Sequence, residues 1–166
     1  MRIRRLGASD AHAFRDFRAH ALKVAPEAFG EALEEHLRQP VETTASRLRE
    51  GDSNFVLGAF EGARLCGTVG FYQDPRIKRR QKGWIWGMFV DEPWRGSGVG
   101  RRLLEEAISR ARELPEIRQI QLSVVATQTA ARRLYSSLGF KSWGVEPRAL
   151  FVDGRLLDEE HMVLKL

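Results

Sequence analysis

Three glycines at alternate positions, Gly96, Gly98 and Gly100, separate an apolar run that ends at Val90 from an amphipathic stretch that runs to Leu114. A chain of this pattern must leave a strand, turn sharply and enter a helix at once. That requirement points to an α/β fold. Closely spaced glycines leading into a helix also gather several backbone N–H groups in one small concavity. The first helical turn adds its own unpaired donors and the positive end of the macrodipole. Such a turn suits a phosphate or pyrophosphate. The plain alternative is a tight β-to-α turn that binds nothing, and the glycines alone leave both readings open. Two familiar nucleotide motifs fail on spacing. RGSGVGRR lacks the Gly-Lys-Ser/Thr ending of a P-loop, and its glycines do not follow the GxGxxG order of a dinucleotide turn. Arg95, Arg101 and Arg102 supply positive charge around the turn instead.

The remaining sequence favours one domain, residues 1–166, of ordinary size. Hydrophobic residues make up 43% and charged residues 30%, a balance that excludes wholesale disorder and fits a soluble globular protein. The single cysteine, Cys66, lies in an apolar run and has no intrachain partner, which favours a reducing, cytoplasmic setting. No apolar run approaches the roughly 20 residues of a membrane span. The net charge of +5 raises the question of nucleic acid, but 27 basic residues are interleaved with 22 acids. The one dense cluster, Arg76, Lys78, Arg79, Arg80 and Lys82, has no interleaved aromatic residues to stack bases. It reads first as a solvated hairpin loop and second as a patch attracting an anionic substrate or a cofactor.

The periodicities predict a strand over Met1–Leu6, then a helix capped by Asp10 that runs to about Ala25, where Pro26 interrupts. Further helical stretches are expected over Glu31–Leu37 and Glu42–Gly51, the latter capped by Thr43 or Thr44. Asn54–Phe60 and Arg64–Tyr72 read as strands joined at Glu61–Gly62. Gly83–Val90 is the most apolar strand and is expected to be central. Ser97–Leu114 reads as a long helix, Ile117–Val125 as a strand and Thr127–Leu138 as a helix ended by Gly139. Phe140–Gly144, Ala149–Val152 and His161–Leu166 are the last strands, with a turn at Asp153–Gly154. Strands two to four are linked too tightly for parallel crossovers, so the sheet must be mixed.

FVDEPWRGSGVGRRLLEEA followed by TAARRLYSSLGF resembles the GCN5-related N-acetyltransferase superfamily. Its Arg/Gln-x-x-Gly-x-Gly/Ala turn is matched by Arg95, Gly98 and Gly100, and its later helix by Thr129–Leu138. The resemblance spans about Ile85 to Trp143. It implies a single-domain fold with a mixed, mostly antiparallel sheet of about seven strands flanked by helices. It also implies acetyl-CoA as acyl donor, its pyrophosphate on the turn formed by Arg95, Gly96, Ser97, Gly98, Val99, Gly100 and Arg101. Backbone groups of Met88, Phe89 and Val90 are then expected along the pantetheine arm, where Gln128 stands in place of the more usual asparagine. Tyr135 occupies the position from which this superfamily protonates the departing thiolate.

One departure bears on mechanism. Many members carry a glutamate just before the Met-Phe-Val segment, and here Gly87 stands there. The base must therefore come from elsewhere. Glu27 after Pro26 is the first choice, Glu146 and Asp74 are others, and solvent can also serve. Tyr72 and Trp86 are possible walls of an acceptor pocket, although packing explains aromatic residues equally well. The four histidines have no metal spacing, so no metal is expected. The sequence thus favours an acyl-CoA-dependent N-acetyltransferase acting by direct attack of a primary amine. The expected acceptor is a small molecule rather than a protein, with no nucleic-acid or membrane partner, and the chain is expected to be a monomer or homodimer. The alternative is a non-catalytic acyl-CoA-binding protein of the same fold.

Overall fold

The computed structural model describes every residue except Glu50. Strand β1 (Arg2–Arg5) leads to three helices, α1 (Ala11–Val24), α2 (Leu33–Arg38) and α3 (Val41–Arg49). Strands β2 (Asn54–Glu61), β3 (Arg64–Gln73) and β4 (Lys82–Val90) follow as a meander, then α4 (Val99–Glu113), β5 (Gln119–Val125) and α5 (Thr129–Ser137). The long strands β6 (Lys141–Val152) and β7 (Arg155–Lys165) close the chain. They form one seven-stranded sheet in the order β1-β2-β3-β4-β5-β7-β6, antiparallel except for the β4–β5 pair. The most apolar strand, β4, is the middle strand, as its composition predicts.

Two cores cover the two faces. Alternation along β2 sends Phe55, Leu57 and Ala59 to one face and Val56 and Phe60 to the other. The first face is sealed by α4 through Leu103, Leu104, Ala107 and Ala111, all with essentially no exposure. The second is sealed by α1 through Phe14, Phe17, Ala21 and Leu22. Burial on both faces is why β2 reads as a continuous apolar run rather than an alternating one. No helix among the described residues is long and apolar enough to cross a membrane.

Several local expectations are corrected. Asp10 precedes α1 but makes no cap bond to it. Its carboxylate instead takes both Arg4 guanidinium bonds, each 2.8 Å, and the Gly7 amide at 2.8 Å, so it ties β1 to the turn. Helix α3 begins at Val41, so Thr43 and Thr44 lie inside it, and Thr44 is buried. The two short strands expected after Gly139 are one strand, β6, bent where its register against β7 shifts. The turn at Asp153–Gly154 is as expected, since Val152 pairs with Arg155 across it. That turn sends β7 back from Arg155 rather than from His161.

The basic cluster is a hairpin loop that pairs with itself. Asp74, buried at its base, binds Arg76 and Arg79 at 3.0 and 3.1 Å. Arg80 pairs with Glu116 at 2.9 Å.

Candidate active site

The parallel pair at the middle of the sheet is short. Strands β4 and β5 pair only at Lys82–Gln119, Gly83–Ile120 and Trp84–Gln121. Beyond that point they part, and residues 85–90 and 122–125 become opposite walls of a cavity of about 790 Å³. The cause is visible in β4. Thr68 faces Phe89 and Gly70 faces Trp86, so Gly87 and Met88 together oppose Val69 as a β-bulge. Gly87 has φ +60°, a left-handed conformation that a glycine adopts without strain. The bulge turns β4 away from β5 and leaves the edge of Met88 and Phe89 without a strand partner. An extended ligand arm can add to that edge as a strand does.

The glycine turn stands at the mouth of this cavity. Gly98 caps α4 with φ +84°, and a side chain at Gly96 or Gly98 would project into space with nothing within 4 Å. The cradle is therefore open, and its backbone amides stand at the start of a 15-residue helix. Gly100 packs closely instead: a Cβ there would lie 3.1 Å from the Met88 methyl. Arg95 folds back, donating from Nε to the Val90 carbonyl at 2.9 Å, and Ser97 Oγ donates to the Trp94 carbonyl at 2.6 Å. Arg101 binds the Ser137 hydroxyl at 2.7 Å, linking α4 to α5.

Asp91 anchors the approach to the turn. It accepts from the Glu92 amide at 3.0 Å, pairs with Arg64 at 3.2 Å and lies 3.0 Å from His20. Burial alone would raise its carboxyl pKa, but the bonds from His20, Glu92 and Arg64 hold it below the ordinary value.

Tyr135 reaches the same cavity from α5 and is buried, its ring edge-on to Phe140 at 6.0 Å. Desolvation pushes its hydroxyl pKa up to about 12. The group is thus held as a neutral O–H donor at any ordinary pH. Glu27 and Gln128, both lining the cavity, bond to one another: the Gln128 amide donates to Glu27 Oε1 at 3.1 Å. Arg155 donates to the other Glu27 oxygen at 3.3 Å.

The other acids considered from the sequence lie elsewhere. Asp74 is locked to the basic loop, and the bonds from Arg76 outweigh burial to hold its pKa low. Glu146, on the edge strand β6, pairs with His161 at 3.2 Å. Tyr72 stacks on Trp84, while Trp86 lines the cavity.

One neighbour escaped the sequence reading. Arg18 lies over Gly87, where a Cβ would meet its Nη1 at 3.2 Å. A signal was available, because Arg18 falls within the apolar stripe of α1, between Phe14 and Ala21. A charged residue at such a position must be partly buried and needs partners.

The sequence model of the acetyltransferase (GNAT) family matches residues 15–140. The chain belongs to that family. Its seven-stranded sheet and flanking helices are the family's fold, and family members transfer acetyl groups. The spermine/spermidine N(1)-acetyltransferase of Bacillus subtilis is 34% identical over 58 residues, 35% of this chain and 38% of that one. The chain thus spans well under half the length of this curated relative.

Two solved structures superpose along nearly the whole chain. A GNAT-family acetyltransferase from Streptococcus pneumoniae gives a TM-score of 0.90 at 24% identity, covering 99% of this chain and 98% of its own. The acetyltransferase yncA from Salmonella typhimurium, solved with its cofactor acetyl-CoA, gives 0.86 at 23% identity, covering 100% and 94%. At these identities the likeness is one of fold.

Proposed function

We propose that this protein is an acyl-CoA-dependent N-acyltransferase that transfers acetyl from acetyl-CoA to a primary amine of a small molecule by direct attack. The observation that carries the reading is the parting of β4 from β5. It opens a cavity with an open glycine cradle at its mouth and a buried tyrosine in its wall. Acetyl-CoA supplies the activated acyl group. The chain supplies the rest.

The residues present fit such a donor. The amides around Gly96–Gly100 and the α4 N-terminus would hold its pyrophosphate. The unpaired edge of Met88 and Phe89 would hold its pantetheine arm as an added strand, and an amide there would polarise the thioester carbonyl. Tyr135 keeps a proton ready for the thiolate that leaves as the amine nitrogen bonds to the acyl carbon. Gly87 has no side chain to accept the amine's proton. Glu27, engaged by Gln128 and Arg155 at the cavity wall, is the carboxylate proposed for that task and for attracting the incoming ammonium.

The test is calorimetric titration with acetyl-CoA followed by measurement of thiol release with a panel of amines. Saturable binding with amine-dependent release supports the enzyme. Binding without release from any amine would instead establish a non-catalytic acyl-CoA-binding protein.

A further inference from the structure

A second compartment adjoins the cavity. Arg47 of α3, Asn54 of β2, Tyr72 of β3 and Trp86 of β4 line a space of about 230 Å³. Trp86 lines both spaces, so the two adjoin at that residue. Its indole packs against Gly70, where a Cβ would stand 2.2 Å from the ring. Two guanidiniums flank it, Arg18 at 5.9 Å and Arg47 at 5.8 Å from the ring centre.

Among the described residues this compartment is lined by one cation, Arg47, and three neutral side chains. The described lining side chains are a guanidinium, a carboxamide, a phenol and an indole, all of them types that carry an N–H or O–H donor. Among the described residues its lining holds no carboxylate. Arg18 adds positive charge from behind the indole. Its Nε and Nη2 bind Glu31 Oε2 at 3.2 and 3.1 Å, while its Nη1 is buried and unpartnered. Glu31 is also shared with His36 and Gln39, so it does not offset both arginines. The two guanidiniums thus stand beside Trp86, while Glu27 lines the larger cavity.

We infer that the acceptor is a small amine carrying its own anionic group, a carboxylate or phosphonate a few bonds from the nitrogen, read by Arg47 beside Trp86. This rests on the acyltransferase reading above. Arg47 forks toward a planar or tetrahedral oxyanion and repels a second ammonium. A polyamine is then a poor fit, although a relative of this chain bears the name of a spermine/spermidine acetyltransferase.

The test measures thiol release from acetyl-CoA with matched amines. The anionic probes are 4-aminobutyrate, 6-aminohexanoate and 3-aminopropylphosphonate. The neutral probes are the corresponding carboxamides, 4-aminobutyramide and 6-aminohexanamide, and the cationic ones are 1,5-diaminopentane and spermidine. The anionic amines are expected to exceed their amides in kcat/KM by about 10-fold or more, the scale of one charge-assisted contact, with the diamines lowest. The carboxylate and phosphonate arms report which oxyanion fits better. Arg47→Gln, a change at an exposed helix position, should erase most of that preference through KM while leaving the amides unchanged. Equal or better use of amides or polyamines overturns the inference, as does an Arg47→Gln effect that is the same on every amine. Absence of release from all amines sinks the acyltransferase reading itself.

Discussion

The Gln128 side-chain amide donates to Glu27 Oε1 at 3.1 Å, joining residues 101 positions apart across the cavity. The bond fixes a carboxylate in the cavity wall. If Glu27 takes the amine's proton, Glu27→Gln should flatten the acidic limb of the kcat/KM profile and lower kcat at saturating donor. If Glu27 only attracts the ammonium, KM should rise with kcat and its pH dependence retained. Steady-state kinetics across pH 5–10 separates the two outcomes.

Tyr135→Phe keeps the ring in its packing against Phe140 and removes the hydroxyl proposed as proton donor. Turnover is expected to fall by about 100-fold or more, with acetyl-CoA affinity little changed. Burial raises the Tyr135 hydroxyl to about 12, so the folded enzyme keeps the proton beyond the pH at which an exposed tyrosine loses it. The wild-type rate should therefore show no alkaline decline from this group below roughly pH 10. An unchanged turnover in the variant, with chemistry limiting the rate, removes Tyr135 from the mechanism.

Gly98→Val puts a branched side chain at φ +84° and into the open cradle. The left-handed backbone costs a β-branched residue about 1–2 kcal/mol, which a fold with this much core should survive. Acetyl-CoA binding should be lost, because the side chain fills the space proposed for the pyrophosphate. Circular dichroism checks the fold and calorimetry the binding. Gly98→Asn, which tolerates the left-handed region, separates backbone strain from the filled cradle.

Asp10 holds Arg4 bidentately and the Gly7 amide, and those bonds outweigh desolvation to keep its carboxyl below the ordinary range. A carboxyl with a folded pKa below its unfolded value stabilises the protein at neutral pH. That contribution is lost as pH falls from about 4 through the folded pKa. Asp10→Asn should cost about 1–2 kcal/mol at neutral pH, tempered by partial exposure of the pair, and should weaken the acid dependence of Tm. Thermal melts of both proteins between pH 3 and 7 give the comparison.

The sequence alone determined the α/β class, the central position of β4, the glycine turn into α4 and the family resemblance. These rest on contiguous residues whose periodicity, turn chemistry and helix signals act over a few positions of backbone. The long β6 and the true role of Asp10 were not legible, because a strand's length and a carboxylate's partners depend on what packs beside them. Only tertiary structure brought Glu27 to Gln128, set Arg18 over the bulge at Gly87 and put Trp86 between two guanidiniums. Those meetings join α1, α3, β4 and the loops beside α5. No local pattern encodes the distance between such elements, which is set by how the two cores seat their helices on the sheet.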